Sequence, residues 1–580
     1  MLFHPMFGKE GSAGRWRTAL VLLAATAAVA ACGPTAGAQL GDDAASSQTA
    51  PASERSPVVD PAAGPSEASS PRAPTQTPVT PSGTPAPLKI TARDGTALTG
   101  NVVTPPGSGA HPLAVIPAAW GFQDTTFESE AEALSKRGYV VVTYNTRGFF
   151  GSGGTVDVAG PLDVSDVSDV ITWALGHTPA DPRRIGVAGL SYGAGIALLA
   201  AAADPRIKAV GSLSGWTDFG YSLYAANTRH KAAVNLLTTT QQLTGGRSGT
   251  EFTTFLDDYA AFRNMPAVLA WARIRGAGSY LDAVNDHHPA IFMAAAYGDN
   301  YFSPNPQIDF FTALTGPKTL RLAPGDHGTN EIGGVLGLPN TVWSAAWDWF
   351  DRYLRPGSPG ATAAAPAPVQ LTTDGGAVET YPNWAAVTGS TSTLRLGPAF
   401  LGTGELSPTA ATGAWSTTIR SGTDTTANAG TILITKALQG ITHLPPALRL
   451  ETVDRRDGAV WQAAPNFWPQ RIRGIPTMRL NITPNLATGT VVGYLYDTGP
   501  TGSSTLISKA VYTYLDAKPG TALTATLTFD PVARDVAIGH RLSLVIDTKD
   551  DLYYDLDGAG GTVAFGSPDG EPSQLTVPLG

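Results

Sequence analysis

The sequence predicts an α/β chain in which a mostly parallel sheet, covered by helices on both faces, is followed by a second, all-β domain. Three observations carry this. From residue 88 onward, short apolar runs alternate with amphipathic stretches, as βαβ units do. Gly189-Leu190-Ser191-Tyr192-Gly193 stands where the apolar run 184–188 meets the Ala-rich stretch 194–203, so a buried strand turns sharply into a helix there. Late in the chain, Leu523, Leu527 and Phe529 alternate with Thr524, Thr526 and Thr528, and Leu542, Leu544 and Ile546 with Arg541, Ser543 and Val545, the pattern of half-buried strands in a sandwich.

At 580 residues the chain is too long for one ordinary core. Its formal charge of −9 is modest, and no run of Lys and Arg exceeds a pair, so nucleic acid is not an expected partner. Lys9, Arg15 and Arg17 precede the apolar run 19–31, which is too short for a permanent span and reads as an export signal removed on processing. It ends in Val29-Ala30-Ala31-Cys32, which resembles the lipobox of bacterial lipoproteins. Cys32, the only cysteine, is the expected lipidation site, which would hold an exported protein on the outer face of the cell membrane through a lipid anchor. The alternative is ordinary cleavage after Ala30 and a secreted protein. Residues 32–87 are dominated by Ala, Pro, Ser, Thr and Gly, bury too little surface to offset their ordering entropy, and read as a disordered tether.

The first folded domain is expected over 88–357. An apolar strand at 113–116 leads into the loop 117–122; Thr125 with Glu128 forms a capping-box pattern, the helix runs to Arg137, and Gly138 stops it before the strand 139–143. Val164, Val167, Ile171 and Leu175 mark the next helix by their spacing, ahead of the strand that delivers Ser191. A strand at 207–213 follows. Residues 216–288 are helical and aromatic-rich, belong to no βαβ unit, and read as a cap over the sheet's C-terminal edge. Strands at 290–296 and 318–323 resume the sheet, and a helix at 340–354 carries Val342, Trp343, Trp347, Phe350 and Leu354. The Pro/Ala/Gly-rich stretch 357–368 marks the boundary to a second domain over 368–580.

A serine hydroxyl is a poor nucleophile at neutral pH. It needs a base within hydrogen-bond reach and a carboxylate to fix that base's tautomer. Ser191 is the candidate nucleophile. In α/β-hydrolases the chain order is nucleophile, acid, histidine. Asp299 lies directly past the strand 290–296, where the acid belongs, with Asp326 as its rival. The histidines after it are His327, His443 and His540; the last two fall in the β-rich domain, so His327 is the candidate base. Oxyanion donors are expected from the backbone N–H of Tyr192 and of Ala119 or Trp120, with Trp120 also a candidate wall of the acyl pocket. His287 and His288 read as cap anchors. Asp547, Asp550, Asp551, Asp555 and Asp557 miss the calcium-loop spacing and read as a solvated loop. With no Walker loop, dinucleotide fingerprint, HExxH or CxxC, neither metal nor cofactor is expected.

Beyond the GLSYG motif, the run Arg137-Gly138-Tyr139-Val140-Val141-Val142, then Asn145-Thr146-Arg147-Gly148 and Gly151-Ser152-Gly153-Gly154, resembles the family of cocaine esterase, α-amino-acid ester hydrolases and Xaa-Pro dipeptidyl-peptidases. The segment from Gly539-His540-Arg541-Leu542 to Asp547 is similar to a strand of that family's C-terminal jelly roll. The resemblance implies an α/β-hydrolase fold with a helical cap, and a galactose-binding-like jelly roll packed on it that helps wall the active site; a separate surface-binding module is the alternative. The family often supplies a tyrosine hydroxyl to the oxyanion hole from the loop after the third strand. Here Pro117-Ala118-Ala119-Trp120-Gly121 has none, and Ala296 replaces the glycine common three residues before the acid.

The expected function is therefore hydrolysis of an ester or amide in a small molecule or short peptide through an acyl-enzyme on Ser191. Esterase or acylase action comes first and release of Xaa-Pro dipeptides second. The latter needs carboxylates near the pocket for the substrate's α-ammonium, and Glu128, Glu130, Glu251, Asp257 and Asp258 do not resolve into such a pair. A catalytically inert cell-surface binding protein is the reading of another class. The sequence leaves the oligomeric state open.

Overall fold

The computed structural model describes residues 83–409, 413–430, 447–568 and 571–580. The export signal, Cys32, most of the tether and His443 lie outside these residues.

The first half is built on a ten-stranded sheet with the order β1-β2-β4-β3-β5-β6-β7-β8-β9-β10. These are Pro85–Thr91, Ala97–Val103, His111–Pro117, Val140–Tyr144, Ala180–Leu190, Ile207–Leu213, Ala290–Ala296, Lys318–Ala323, Val369–Thr372 and Val378–Tyr381 in chain order. From β4 through β9 every neighbour is parallel, and β1, β2 and β10 run antiparallel at the two sides. β7 is buried along its whole length, as a strand covered on both faces must be.

Helix α1 (Glu128–Lys136) does not start on the expected capping box. A 3₁₀ turn, Asp124–Phe127, precedes it, and no side chain caps it. Asp124, buried, accepts from Asn101 Nδ2 and Asn145 Nδ2 and so ties the turn to β2 and the end of β4. α2 (Pro161–His177) buries Val167, Val170, Ile171 and Ala174, while Val164 and Leu175 lie at the edge of its stripe. α3 (Tyr192–Ala203) is hydrophobic all round and buried, except for its last residue.

The region expected as a cap holds the helices α4 (Phe219–Tyr224), α5 (Lys231–Leu243), α6 (Thr250–Ala260), α7 (Met265–Arg273) and α8 (Leu281–His287). α9 (Pro304–Ala313) and α10 (Ile332–Val335) follow β7 and β8. In α11 (Thr341–Leu354), Asn340 Oδ1 accepts from the N–H groups of Val342 and Trp343 and caps the helix. Its stripe of Trp343, Trp347, Phe350 and Leu354 packs on the sheet so closely that a Cβ on Gly186 would lie 2.5 Å from the Phe350 ring.

Two expected boundaries move. The sheet begins at Pro85, before residue 88. The stretch 357–368 is not a divide either: α12 (Pro359–Thr362) sits in it, and β9 then pairs parallel with β8 through Leu320↔Val369 and Leu322↔Leu371. Val369 and Leu371 are both fully buried, which is why these two short strands stay with the first sheet.

The remaining strands, from Ser390–Leu396 to Gln574–Leu579, form an all-β sandwich around Trp461, Leu480, Leu495, Leu527, Phe529 and Phe565. The strand Arg541–Asp547 departs from its alternation, because Ser543, Val545 and Asp547 are also buried. Val545 joins Val492, Tyr494 and Val511 in a core that runs on into the cap, so the sandwich packs on the hydrolase half. Across the junction, Asn305 Nδ2 donates to Phe529 O at 2.9 Å, Lys231 N–H to Leu552 O at 2.8 Å and Tyr554 N–H to Arg229 O at 3.0 Å.

Candidate active site

β5 ends in a turn tight enough to force Ser191 to φ 56° and ψ −113°, a conformation L-residues avoid and one that costs about 1–3 kcal/mol. Both flanking glycines are required sterically. A Cβ on Gly189 would lie 2.3 Å from the carbonyl carbon of Gly193, and one on Gly193 would lie 2.3 Å from Pro117 O. Ser191 N–H donates to Leu213 O at 2.8 Å, which locks the turn to β6. The hydroxyl is thereby lifted above the sheet's C-terminal edge.

There the three expected residues meet. His327 Nε2 is 2.7 Å from Ser191 Oγ, and His327 Nδ1 is 2.9 Å from Asp299 Oδ2. With Nδ1–H donating to the carboxylate, Nε2 is left to accept from the serine. The other oxygen of Asp299 accepts the N–H groups of Tyr301 and Phe302, each at 2.9 Å, and this fixes the carboxylate plane. Asp326, the rival acid, points elsewhere: it accepts from Asn300 N–H, Asn300 Nδ2 and the N–H of His327, clamping two loops together.

The imidazole is packed by the rings of Tyr301, 4.5 Å away, and Phe302, 5.1 Å away. Burial alone would pull its pKa down. The charge and hydrogen bond of Asp299, with Asp326 and Glu331 beyond it, outweigh burial and hold His327 above the ordinary value.

Trp120 and Tyr192 stand beside the serine. The Trp120 indole N–H donates to Leu237 O at 2.9 Å, and its ring meets the Tyr192 ring edge-on at 5.1 Å. The Tyr192 hydroxyl donates to Asp163 at 2.5 Å, so this side chain is committed away from the reacting centre. Its backbone N–H belongs to the first turn of α3, where no intrahelical carbonyl can accept. Ser191 opens onto a pocket walled by Trp120, Trp216, Phe219, Phe252, Phe255 and Phe302, and among the described residues no charged side chain lines it.

None of the carboxylates considered for an α-ammonium reaches that pocket. Glu130 accepts from Trp347 Nε1 at 2.6 Å beneath the sheet, and Glu251 pairs with Arg275 at 3.2 Å. Among the described residues the sandwich contributes none of its lining either. Its residues instead line an adjoining polar cavity beside Asp299, where Lys509 pairs with Asp530 at 2.7 Å. His287 Nδ1 bonds Ala201 O at 2.9 Å and so anchors α8 to α3. The aspartates of 547–557 are not all solvated: Asp547 and Asp550 are buried, bonded to Thr425 and to Tyr494 with two backbone amides respectively. Among the described residues no group of three or more His, Cys, Asp or Glu is placed to hold a metal.

Sequence reading missed one pair. Glu331, buried four residues past His327, accepts from Ser214 Oγ at 3.1 Å, and Ser214 Oγ in turn accepts from Gly328 N–H at 3.2 Å. Their only sequence signal is an acid at one-turn spacing from the base.

With this geometry in place, the comparisons are specific. A family model described as X-Pro dipeptidyl-peptidase (S15 family) matches residues 94–329, and one described as X-Pro dipeptidyl-peptidase C-terminal non-catalytic domain matches 359–568. The chain is an α/β-hydrolase of the serine-peptidase type with a separate all-β C-terminal domain. By these two matches, in this order along the chain, it belongs to the S15 family of X-Pro dipeptidyl-peptidases.

Solved structures similar in fold include an aminopeptidase from a marine sediment Thaumarchaeota archaeon, with TM-score 0.67 and 16% identity over 88% of this chain and 99% of that one. An α-amino acid ester hydrolase gives TM-score 0.66 and 17% identity over 88% of this chain and all of that one. Among curated proteins, an uncharacterized 31.7 kDa protein in the traX-finO intergenic region of Escherichia coli is 33% identical over 136 residues, 23% of this chain and 47% of that one. The chain spans less than half the length of the curated relatives it matches.

Proposed function

We propose that the protein hydrolyses esters or amides of uncharged, apolar acyl groups through an acyl-enzyme on Ser191. His327 Nε2 takes the hydroxyl proton as Oγ attacks the carbonyl, and Asp299 stabilises the imidazolium that results. The backbone N–H of Tyr192 and one from Ala119 or Trp120 would hold the oxyanion, each donor being worth about 3 kcal/mol. His327 then returns the proton to the leaving group, and water repeats the sequence to free the acid.

The observation that carries the acyl preference is the lining of the pocket beside Ser191. Among the described residues it is aromatic and aliphatic with no carboxylate, whereas a dipeptidyl-peptidase must neutralise a free α-ammonium there. The family model's own description favours the second reading, Xaa-Pro release. Paired assays with an aryl butyrate and an Ala-Pro anilide separate the two; the ester should be cleaved and the anilide left, and the reverse would overturn this preference. Labelling of Ser191 by a fluorophosphonate is expected, and its failure would favour an inert binding protein.

The same reading places the protein outside the cytoplasm, tethered by a lipid on Cys32. Its support is the basic then apolar leader and the single cysteine at its end. Radiolabelled palmitate should enter the full chain and not the Cys32→Ser variant.

A further inference from the structure

Glu331 and Ser214 lie directly behind the base. Ser214 closes β6 in the left-handed conformation, at φ 48°, with its N–H donated to Ala294 O at 2.7 Å. One residue earlier, Leu213 O accepts the N–H of Ser191. This corner of the sheet therefore supports the nucleophile with one residue and the histidine loop with the next. The Ser214 hydroxyl is fully used: it accepts from Gly328 N–H, adjacent to His327, and donates to Glu331 Oε2.

Glu331 is only 1% exposed, and its Oε1 has no hydrogen-bond partner among the described residues. The turn that carries it is closed by Glu331 N–H to Gly328 O, and Trp343 Nε1 donates to its carbonyl. A buried carboxyl satisfied on one side only is an expensive way to fill space, and an apolar residue would do so at lower cost. Such an arrangement beside a catalytic base points to an electrostatic purpose.

We propose that Glu331 is a positioning residue for the reaction, holding the His327 loop through Ser214 and supplying a second negative charge, behind Asp299, to the imidazolium formed during attack. The proposal rests on His327 being the base. The groups around Glu331 fit this. His327 and Asp326 share its loop, Asp299 follows β7, Glu130 on α1 reaches Gly334 one turn on, and Ser214 and Trp343 come from β6 and α11. Burial raises the Glu331 carboxyl to about 7; Asp299 adds to the rise, while Ser214 and His327 restrain it. Glu331 and His327 therefore titrate as a coupled pair in the working range.

The sign follows. Activity needs neutral His327, and the imidazolium of the transition state is best stabilised when Glu331 is ionised. The acid limb of kcat/KM in the wild type should then involve two protons. Glu331→Gln keeps an acceptor for Ser214 and removes the charge. It should leave a one-proton limb displaced by about one pH unit toward acid, with a plateau kcat lower by about tenfold and KM little changed, since a tenfold change in proton affinity and a tenfold change in rate measure the same interaction.

Ser214→Gly tolerates the positive φ and removes both hydrogen bonds. Glu331 then loses a contact that favours its charged form, and the limb should move to higher pH. Both variants are measured on the full chain with an aryl butyrate, normalised to the fraction labelled by fluorophosphonate, with thermal melts as a fold control. A Glu331→Gln limb unchanged in position and steepness would reduce the residue to a structural clasp and overturn the proposal. If that variant does not fold, an unmoved limb in Ser214→Gly overturns it instead. Retained activity in Ser191→Ala would signal failure of the mechanism itself, independently of Glu331.

Discussion

The two sides of the His327 ring are opposites. Toward Ser191 lies a pocket of aromatic and aliphatic side chains with no charge on its walls among the described residues; behind the ring lie Asp299, Asp326 and Glu331, each buried. Under the proposed mechanism a substrate would enter a low-dielectric space, while the charge that stabilises the transition state would be built into the protein and need no reorganisation on attack by the serine. The difference teaches that, under the proposed mechanism, specificity and rate would be set on different sides of one imidazole. A change on the pocket side should alter which substrate is taken, and a change behind the ring should alter rate and pH dependence for all substrates alike.

The largest effect tests whether the two sides meet at one atom. Ser191→Ala should lower kcat by about 10⁵–10⁶-fold with the fold intact by circular dichroism, because the triad acts as a unit. Next, Asp299→Asn should cost about 10⁴-fold in kcat through the wrong imidazole tautomer, with KM for an aryl butyrate nearly unchanged. On the pocket side, adding an ammonium at the end of the acyl chain should lower kcat/KM by about 10²–10³-fold relative to the neutral ester, the cost of bringing an unpaired charge among apolar walls. Equal rates for the two esters would erase the contrast.

The remaining effect is on stability. Glu331 has its folded pKa raised from 4.5 to about 7, so the folded state binds more protons between those values and stability falls as pH rises through them. In urea denaturation the wild type should lose about 3 kcal/mol between pH 4 and pH 8 through this group and Glu331→Gln should not, since a tenfold difference in proton affinity between the folded and unfolded chain corresponds to about 1.4 kcal/mol.

What the sequence discloses here is what depends on local pattern and chain order. Ser191, Asp299 and His327 each follow a buried apolar run, and a parallel sheet brings the ends of such runs to one edge. Thr125 misleads because a capping-box pattern says nothing about a preceding 3₁₀ turn held by Asp124, Asn101 and Asn145. Asp547 and Asp550 misread because their burial is decided by residues distant in sequence that fold over them, Thr425 on the first and Ala429 and Tyr494 on the second. Ser214 and Glu331 stay silent for the same reason. Their contact spans more than a hundred residues, and neither residue type is unusual in its own neighbourhood.

The short return of residues 369–381 to the first sheet has a consequence for how the chain can be divided. A polypeptide cut within 357–368 would leave the outer side of β8 with a row of unmatched amides and carbonyls, and exposed strand borders of that kind recruit other chains. The same cut would leave β9 and β10 on the fragment that carries the sandwich, since Arg473, fully buried, grips Glu379 on β10 with paired contacts of 2.7 and 2.8 Å, and the open border of β9 would then face solvent there. Severed there, both fragments should precipitate, whereas a cut beyond Tyr381 leaves β8 protected.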